Sequence, residues 1–373
     1  MQSPDRFLAI DALRGLALVT IFINHVPGTI FERLTHKNFG LSDSAEIFVL
    51  LAGVGAALAY LRPFRAGDAA RQIFRMVVRA VQIYAAHLVV LVVCGAIVAA
   101  AALSYHDPRI LEAMNFETVA SSPTESLLGI ATLGLQPSYL NILPLYVVLL
   151  LMAPALIALV AHKPRLALLF SAGVYLAAQF GAVPPSYPQE NAWFFNPFAW
   201  QLLFVIGLCA GAALVERRPI RRPGWVLPLC MAYLAAGLAW KQLEFYPEGV
   251  PGLPRFLWDD DKHLLSVPRL VHVLALAWVV TALPLERWLR RAPALAPLGW
   301  MGRNSLVVFS IGTILAIGGQ VLRIIGAGDP SLDVAIIGLG LALQVGLAWA
   351  LEWNRSGLKP QRVEAGAPVS AQR

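Results

Sequence analysis

Apolar residues cluster into ten long runs, at about 9–30, 44–61, 80–103, 138–161, 165–183, 198–215, 225–243, 265–284, 304–325 and 332–353. A helix crossing the hydrocarbon of a bilayer needs about 20 mainly apolar residues. The pattern therefore predicts an all-α polytopic membrane protein of about ten transmembrane helices. The run 165–183 is short, and 80–103 is long enough to tilt. The stretch LLGIATLGL (127–135) is too short to cross and reads as interfacial or re-entrant. Residues 1–355 form a single transmembrane domain on this reading, and the polar stretch 356–373 forms a short disordered cytoplasmic tail. The chain carries no internal repeat, and no inverted symmetry that would favour a transporter.

Composition supports the pattern. Hydrophobic residues make up 58% and charged residues 14% of the 373, against about 45–50% and about 25% in soluble domains. A soluble fold of this size could not hide so much apolar surface behind so little charge, and such a chain cannot stay disordered in water. The net charge of +7 would fit a nucleic-acid binder, but its distribution points to the bilayer and not to nucleic acid. With the amino terminus cytoplasmic, the inner segments hold Arg6, the arginines from Arg62 to Arg79, Lys163, Arg165, Arg217, Arg218, Arg221 and Arg222. They also hold Arg287, Arg290, Arg291, Arg303 and the basic residues of the tail, most of the 29 in the chain. This positive-inside bias places both termini in the cytoplasm. The outer loops carry acids, among them Asp107, Glu112 and the run Asp259–Asp261, and tryptophans such as Trp193, Trp225 and Trp300 fall near span ends. Cys94, Cys209 and Cys230 lie within apolar runs and form neither a disulfide framework nor a metal motif. Asp11 and Arg14 interrupt the first apolar run, so it reads as a retained helix and not a cleaved signal peptide.

Ionisable groups inside spans cost about 2.5–3.5 kcal/mol each on insertion scales and mark functional sites by default. The first span has Asp11, Arg14 and His25. At 3.6 residues per turn, Arg14 and His25 are about 20° apart in projection, and Asp11 about 40° from His25. All three share a face, with Arg14 and His25 about 16 Å apart along the axis. A plain alternative is an Asp11–Arg14 ion pair with a hydrogen-bonded core histidine.

The second span opens with Ser42-Asp43-Ser44-Ala45-Glu46. Asp43 and Glu46 fit a capping box. They equally fit a carboxylate that orients His25 and stabilises its imidazolium. The third begins with Arg71, Arg75 and Arg79, then Tyr84 and His87. Arg75 and Arg79 are i,i+4 neighbours able to clasp a phosphate, or simply to anchor topology, and His87 could line a polar cavity. Asn141 to Tyr146 should kink the fourth span at Pro144, with Asn141 or Tyr146 satisfying the carbonyl so released. Arg269 and His272 are further polar groups within spans. There is no GxSxG, HExxH, P-loop or GxGxxG motif, and no metal site is expected.

Arg14 and His25 form Arg-x10-His, which resembles the hallmark of the membrane acyltransferase-3 superfamily. The blocks LRGLALVTIFINHVPGT (13–29), NFGLSDSAEIFVLLAG (38–53), ILPLYVVLLLMAP (142–154), FNPFAWQLLFVIG (195–207) and GRNSLVVFSIGT (302–313) resemble the OpgC family. These are succinyltransferases of osmoregulated periplasmic glucans. The resemblance implies a multi-pass enzyme of the bacterial inner membrane, moving an acyl group from a cytoplasmic acyl-CoA to hydroxyls of a periplasmic glucan. Succinyl-CoA would be the co-substrate, with no bound cofactor. It also implies that His25 is the catalytic base and Arg14 its motif partner. The superfamily's RxxR element stands here as RxxxR in Arg75 and Arg79. Asn24 precedes His25 where many relatives carry Asp, which moves the second acid to Asp43 or Glu46.

The mechanism expected is a donor channel from the cytoplasmic side, with Arg75 and Arg79 on the nucleotide end and Arg14 along the pantetheine arm. His25 then takes the acceptor's proton, and Trp193 and Tyr187 offer faces for the glucan. Arg269 is the one guess for a cation meeting a succinyl carboxylate. Two rivals remain: a proton-coupled transporter or flippase using His25, Asp43 and Glu46, and an acetyltransferase acting on another polysaccharide or lipid.

Overall fold

Prolines mark where several helices begin. Pro164, Pro197, Pro268 and Pro297 stand in the first turns of their helices, where the missing N–H had no intrahelical partner to lose. The computed structural model describes residues 7–189, 193–218, 222–244, 252–326 and 328–357. Arg6, Arg221 and the predicted tail beyond Gly357 lie outside the described residues.

The helices in chain order are α1 (Leu8–Asn24), α2 (Ser44–Arg65), α3 (Ala69–Tyr105), α4 (Pro123–Ala131), α5 (Ile142–His162), α6 (Pro164–Gln179) and α7 (Pro197–Val215). There follow α8 (Val226–Gln242), α9 (Val267–Ala282), α10 (Leu285–Arg291), α11 (Ala296–Arg303), α12 (Ser305–Ile325) and α13 (Pro330–Gly357). There is no strand among the described residues. Each of the ten apolar runs is helical. Six helices (α2, α3, α5, α7, α12 and α13) are long and apolar enough to cross a membrane, or seven if α9 and α10, bent by 61°, make one span. The helices of the other runs, α1, α6 and α8, have 17, 16 and 17 residues. The stretch predicted to be interfacial begins in the second half of the short helix α4 and runs on into the loop after it.

The expected kink at Pro144 is absent. Pro144 sits in the first turn of α5, where its ring displaces no hydrogen bond, and the proline inside that helix is Pro154. Tyr146 therefore has no released carbonyl of its own helix to satisfy, and its hydroxyl donates to Phe48 O on α2 at 2.9 Å.

The centre of the bundle is α2 against α7. Their most apolar stretches are 67% and 61% buried, against 33% for α3 and 28% for α13, whose valines and leucines face outward. The pair touches backbone to backbone: a Cβ at Gly207 would strike Leu50 O, and one at Gly53 would strike Phe204 O. Small residues permit this approach where apolar surroundings give helices no hydrophobic reason to associate. Midway along α2, Ala57–Leu61 widens into a π-turn, a device found often at functional sites.

Gly207→Ala should therefore destabilise the fold by about 1–3 kcal/mol through overpacking, read as a lower unfolding temperature in detergent. Gly173→Ala on α6, where the methyl meets open space, should show no loss, because alanine is the better helix former by about 1 kcal/mol.

Candidate active site

At one end of the bundle a cavity of about 850 Å³ opens among the loops. It is bounded by the end of α1, the start of α2, the segment between α3 and α5, residues 193–195, Lys262 and His263, and the inner face of α12. Helix alternation puts all these ends on the same side.

His25 is the C-cap of α1, its amide donating to Ile21 O at 2.9 Å. Its ring packs at 4.8 Å, tilted by 52°, on Tyr139, and at 6.3 Å edge-on to Phe309. Tyr139 holds a left-handed backbone, φ 64°, a conformation costing about 1–3 kcal/mol that persists only where surroundings enforce it. The buried Nδ1 of His25 has no hydrogen-bond partner among the described residues. The charges that act on the ring are Lys262, Asp43 and Lys37.

The start of α2 answers to both readings of its acids. The capping box is present: Asp43 Oδ1 accepts from Ala45 N at 2.8 Å, and Glu46 Oε2 accepts from Asp43 N at 2.9 Å. Each carboxylate also carries an ion pair. Fully buried Glu46 accepts from Arg269 Nε at 2.7 Å and pairs with its Nη2 at 2.6 Å. Asp43 meets Lys262 Nζ at 2.5 Å and lies 3.6 Å from Arg269 Nη2. Burial would raise the Asp43 pKa, but Lys262 and Arg269 overcome it and hold the carboxyl well below the usual range. A row of alternating charge thus runs from the interior to the cavity wall, through Glu46, Arg269, Asp43 and Lys262.

Of the sequence candidates, His25, Asp43 and Asn141 line the cavity. Glu46 lies behind its wall, and no hydrogen bond joins either acid to His25. Arg269 is engaged by Glu46, so the cavity's ammonium groups are Lys262 and Lys37. His272 is outside the cavity, bonded through Nδ1 to Ser42 Oγ at 2.7 Å and wedged against Gly40 and Gly237. His87 is buried in α3 with both ring nitrogens unpartnered among the described residues, and does not line the cavity. Trp193 does, whereas Tyr187 is 40% exposed elsewhere.

A second group forms further along α1. Arg14 donates to Leu51 O at 2.8 Å and packs on Gly55. Arg79 feels Tyr60 and Arg14 electrostatically, and the Arg75 guanidinium stands 5.5 Å over the Tyr60 ring, bonded to Gln72 at 2.7 Å. The π-turn carries Tyr60 into this group. Buried Asp11 is a turn beyond, its carbonyl against Gly302 of α11.

Reasoning from the sequence missed Lys262, Tyr139 and Gln320. Lys262 follows the acids Asp259–Asp261 directly, a sign change that could have singled it out. Nothing local marks the other two.

The family model described as OpgC protein matches residues 6–356. The chain belongs to the OpgC family. Comparison with curated proteins and with solved structures returned no match. Within this OpgC chain, the residues of both groups described above fall inside the matched range.

Removing one member of the buried Glu46–Arg269 pair leaves the other charge uncompensated. Arg269→Met should cost about 3–5 kcal/mol, and the double variant Glu46→Leu/Arg269→Met should recover most of it. Thermal unfolding of the purified protein in detergent checks both.

Proposed function

We propose that this OpgC-family chain is a membrane O-acyltransferase, carrying a succinyl group from a cytoplasmic acyl-CoA to hydroxyls of a periplasmic glucan, with His25 as general base. On this reading the ten helical runs all span, both termini are cytoplasmic, the cavity faces the periplasm, and Arg-x10-His is the superfamily motif. The observation that carries the reading is His25 itself. A histidine with an unpartnered nitrogen sits in a cavity lined by amide, hydroxyl and aromatic side chains. About 16 Å back along the same helix stands Arg14, with Arg75 and Arg79 of α3 around Tyr60 beside it, a group suited to phosphate.

The acceptor hydroxyl loses its proton to neutral His25 as its oxygen attacks the thioester carbonyl. The C–O bond forms, the C–S bond breaks, and the coenzyme thiolate leaves with the proton returned from the imidazolium. Asp43, kept anionic by Lys262 and Arg269, balances the imidazolium through the cavity without contacting it. Arg75 and Arg79 hold the nucleotide end of the donor, and Arg14 lines the path of its pantetheine arm. Trp193 offers an aromatic face to a sugar ring.

His25→Ala should reduce glucan acylation in intact cells by about 10²–10⁴-fold, the usual weight of a general base, while the variant still inserts. Mass spectrometry of the glucans measures it, and the added mass distinguishes succinyl from acetyl. Unchanged acylation by an inserted variant would sink the proposal. Glucan flux that follows the proton gradient with no covalent change would point to a transporter.

A further inference from the structure

Carbonyls where a helix ends have no partner within it, and those of the α1 C-cap His25 and of Pro27 and Gly28 in the turn beyond it meet one face of α12. Gln320 Nε2 donates to His25 O at 2.6 Å. Arg323, one turn on, donates through Nη1 to Pro27 O and through Nη2 to Gly28 O at 3.0 Å. Its remaining nitrogen, Nε, meets Asp333 Oδ1 of α13 at 2.5 Å, and that aspartate is 3% exposed. The turn is built to receive the guanidinium. Gly28 has φ +81°, which side chains rarely adopt, and a Cβ there would lie 2.8 Å from Arg323 Nη1. Glu32 Oε2 takes the Gly28 amide at 2.5 Å from the other side. A cation at a helix C-terminus also complements the helix dipole.

We infer that Gln320, Arg323 and Asp333 are positioning residues for the reaction, a clamp fixing the turn that aims the His25 ring into the cavity. The inference rests on the reading of His25 as general base. The ring has no hydrogen bond of its own to hold Nδ1, so its aim is set by its main chain and by packing on Tyr139 and Phe309. Bidentate binding of two successive carbonyls by a planar fork, itself held by a buried carboxylate, fixes orientation as a lone contact cannot. A displacement of about 1 Å at a reacting group can cost about 10²-fold in rate.

The test uses the full-length protein in lipid nanodiscs, with succinyl-CoA as donor and glucan from cells lacking the gene as acceptor. Arg323→Gln should lower kcat by about 10–10²-fold with KM for both substrates little changed. It should also shift the His25 ring signal in NMR of histidine-labelled protein, identified by its loss in His25→Gln. Arg323→Lys, which retains charge and one donor direction, should recover part of kcat. Gln320→Leu removes one bond only and should lower kcat in the same sense, which decides the matter if Arg323→Gln does not fold. Unchanged kcat and an unmoved histidine signal in a folded variant would overturn the clamp. So would a loss confined to KM. If the parent protein transfers nothing, the acyl-transfer reading fails, while the histidine signal in Arg323→Gln still decides for or against the clamp.

Discussion

The arrangement of the cavity depends on burying Glu46. A carboxylate in an apolar interior is tolerated only when paired and hydrogen-bonded, and both oxygens of Glu46 are used, one by Arg269 and one by the Asp43 amide. Satisfying that charge brings the first turn of α9 onto the first turn of α2, across 223 residues of sequence. Arg269 reaches on to Asp260 O at 3.4 Å, and Lys241 holds the Asp260 carboxylate at 2.8 Å. The segment ending in Lys262 is thereby laid along the cavity rim, where the ammonium also stands within 6 Å of the rings of Phe194 and Phe195.

What the sequence revealed and what it hid follow the range of the forces involved. The ten helical runs were legible because an apolar run and its helical periodicity are local properties of the sequence. The helix that carries Arg14 and is capped by His25 was legible because helical periodicity is local. Asp43 and Glu46 stayed ambiguous, as cap or as charged partner, since a cap is local and an ion pair is not. The structure makes them both, and their partners Lys262 and Arg269 lie more than 200 positions away. Pro144 misled because its effect depends on where the helix starts, and that boundary is two residues earlier. His87 was placed by periodicity on a plausible face, but that periodicity could not tell burial within the bundle from exposure to the cavity, and His87 is buried without lining it. Tyr139 and Gln320 carry no local signature, for their importance comes from what α1 presents to them.

The molecule is polarised along its axis. Amides, hydroxyls and paired charges gather at the end where α1 stops, and arginines with tyrosines gather toward the end where it starts. The tightly packed pair α2 and α7 holds the distance between these two regions, because helices in backbone contact cannot slide without collision.

On the proposed reading, helix α1 works as a phase-locked ruler. Its two informative side chains are separated by eleven positions, a whisker from three full turns. One residue inserted between them would lengthen the ruler by only about 1.5 Å but swing one end by about 100° relative to the other. Spacing in this helix is constrained by angle far more tightly than by length. On that reading, the number of residues along Leu16–Ile23 matters more than which apolar ones they are.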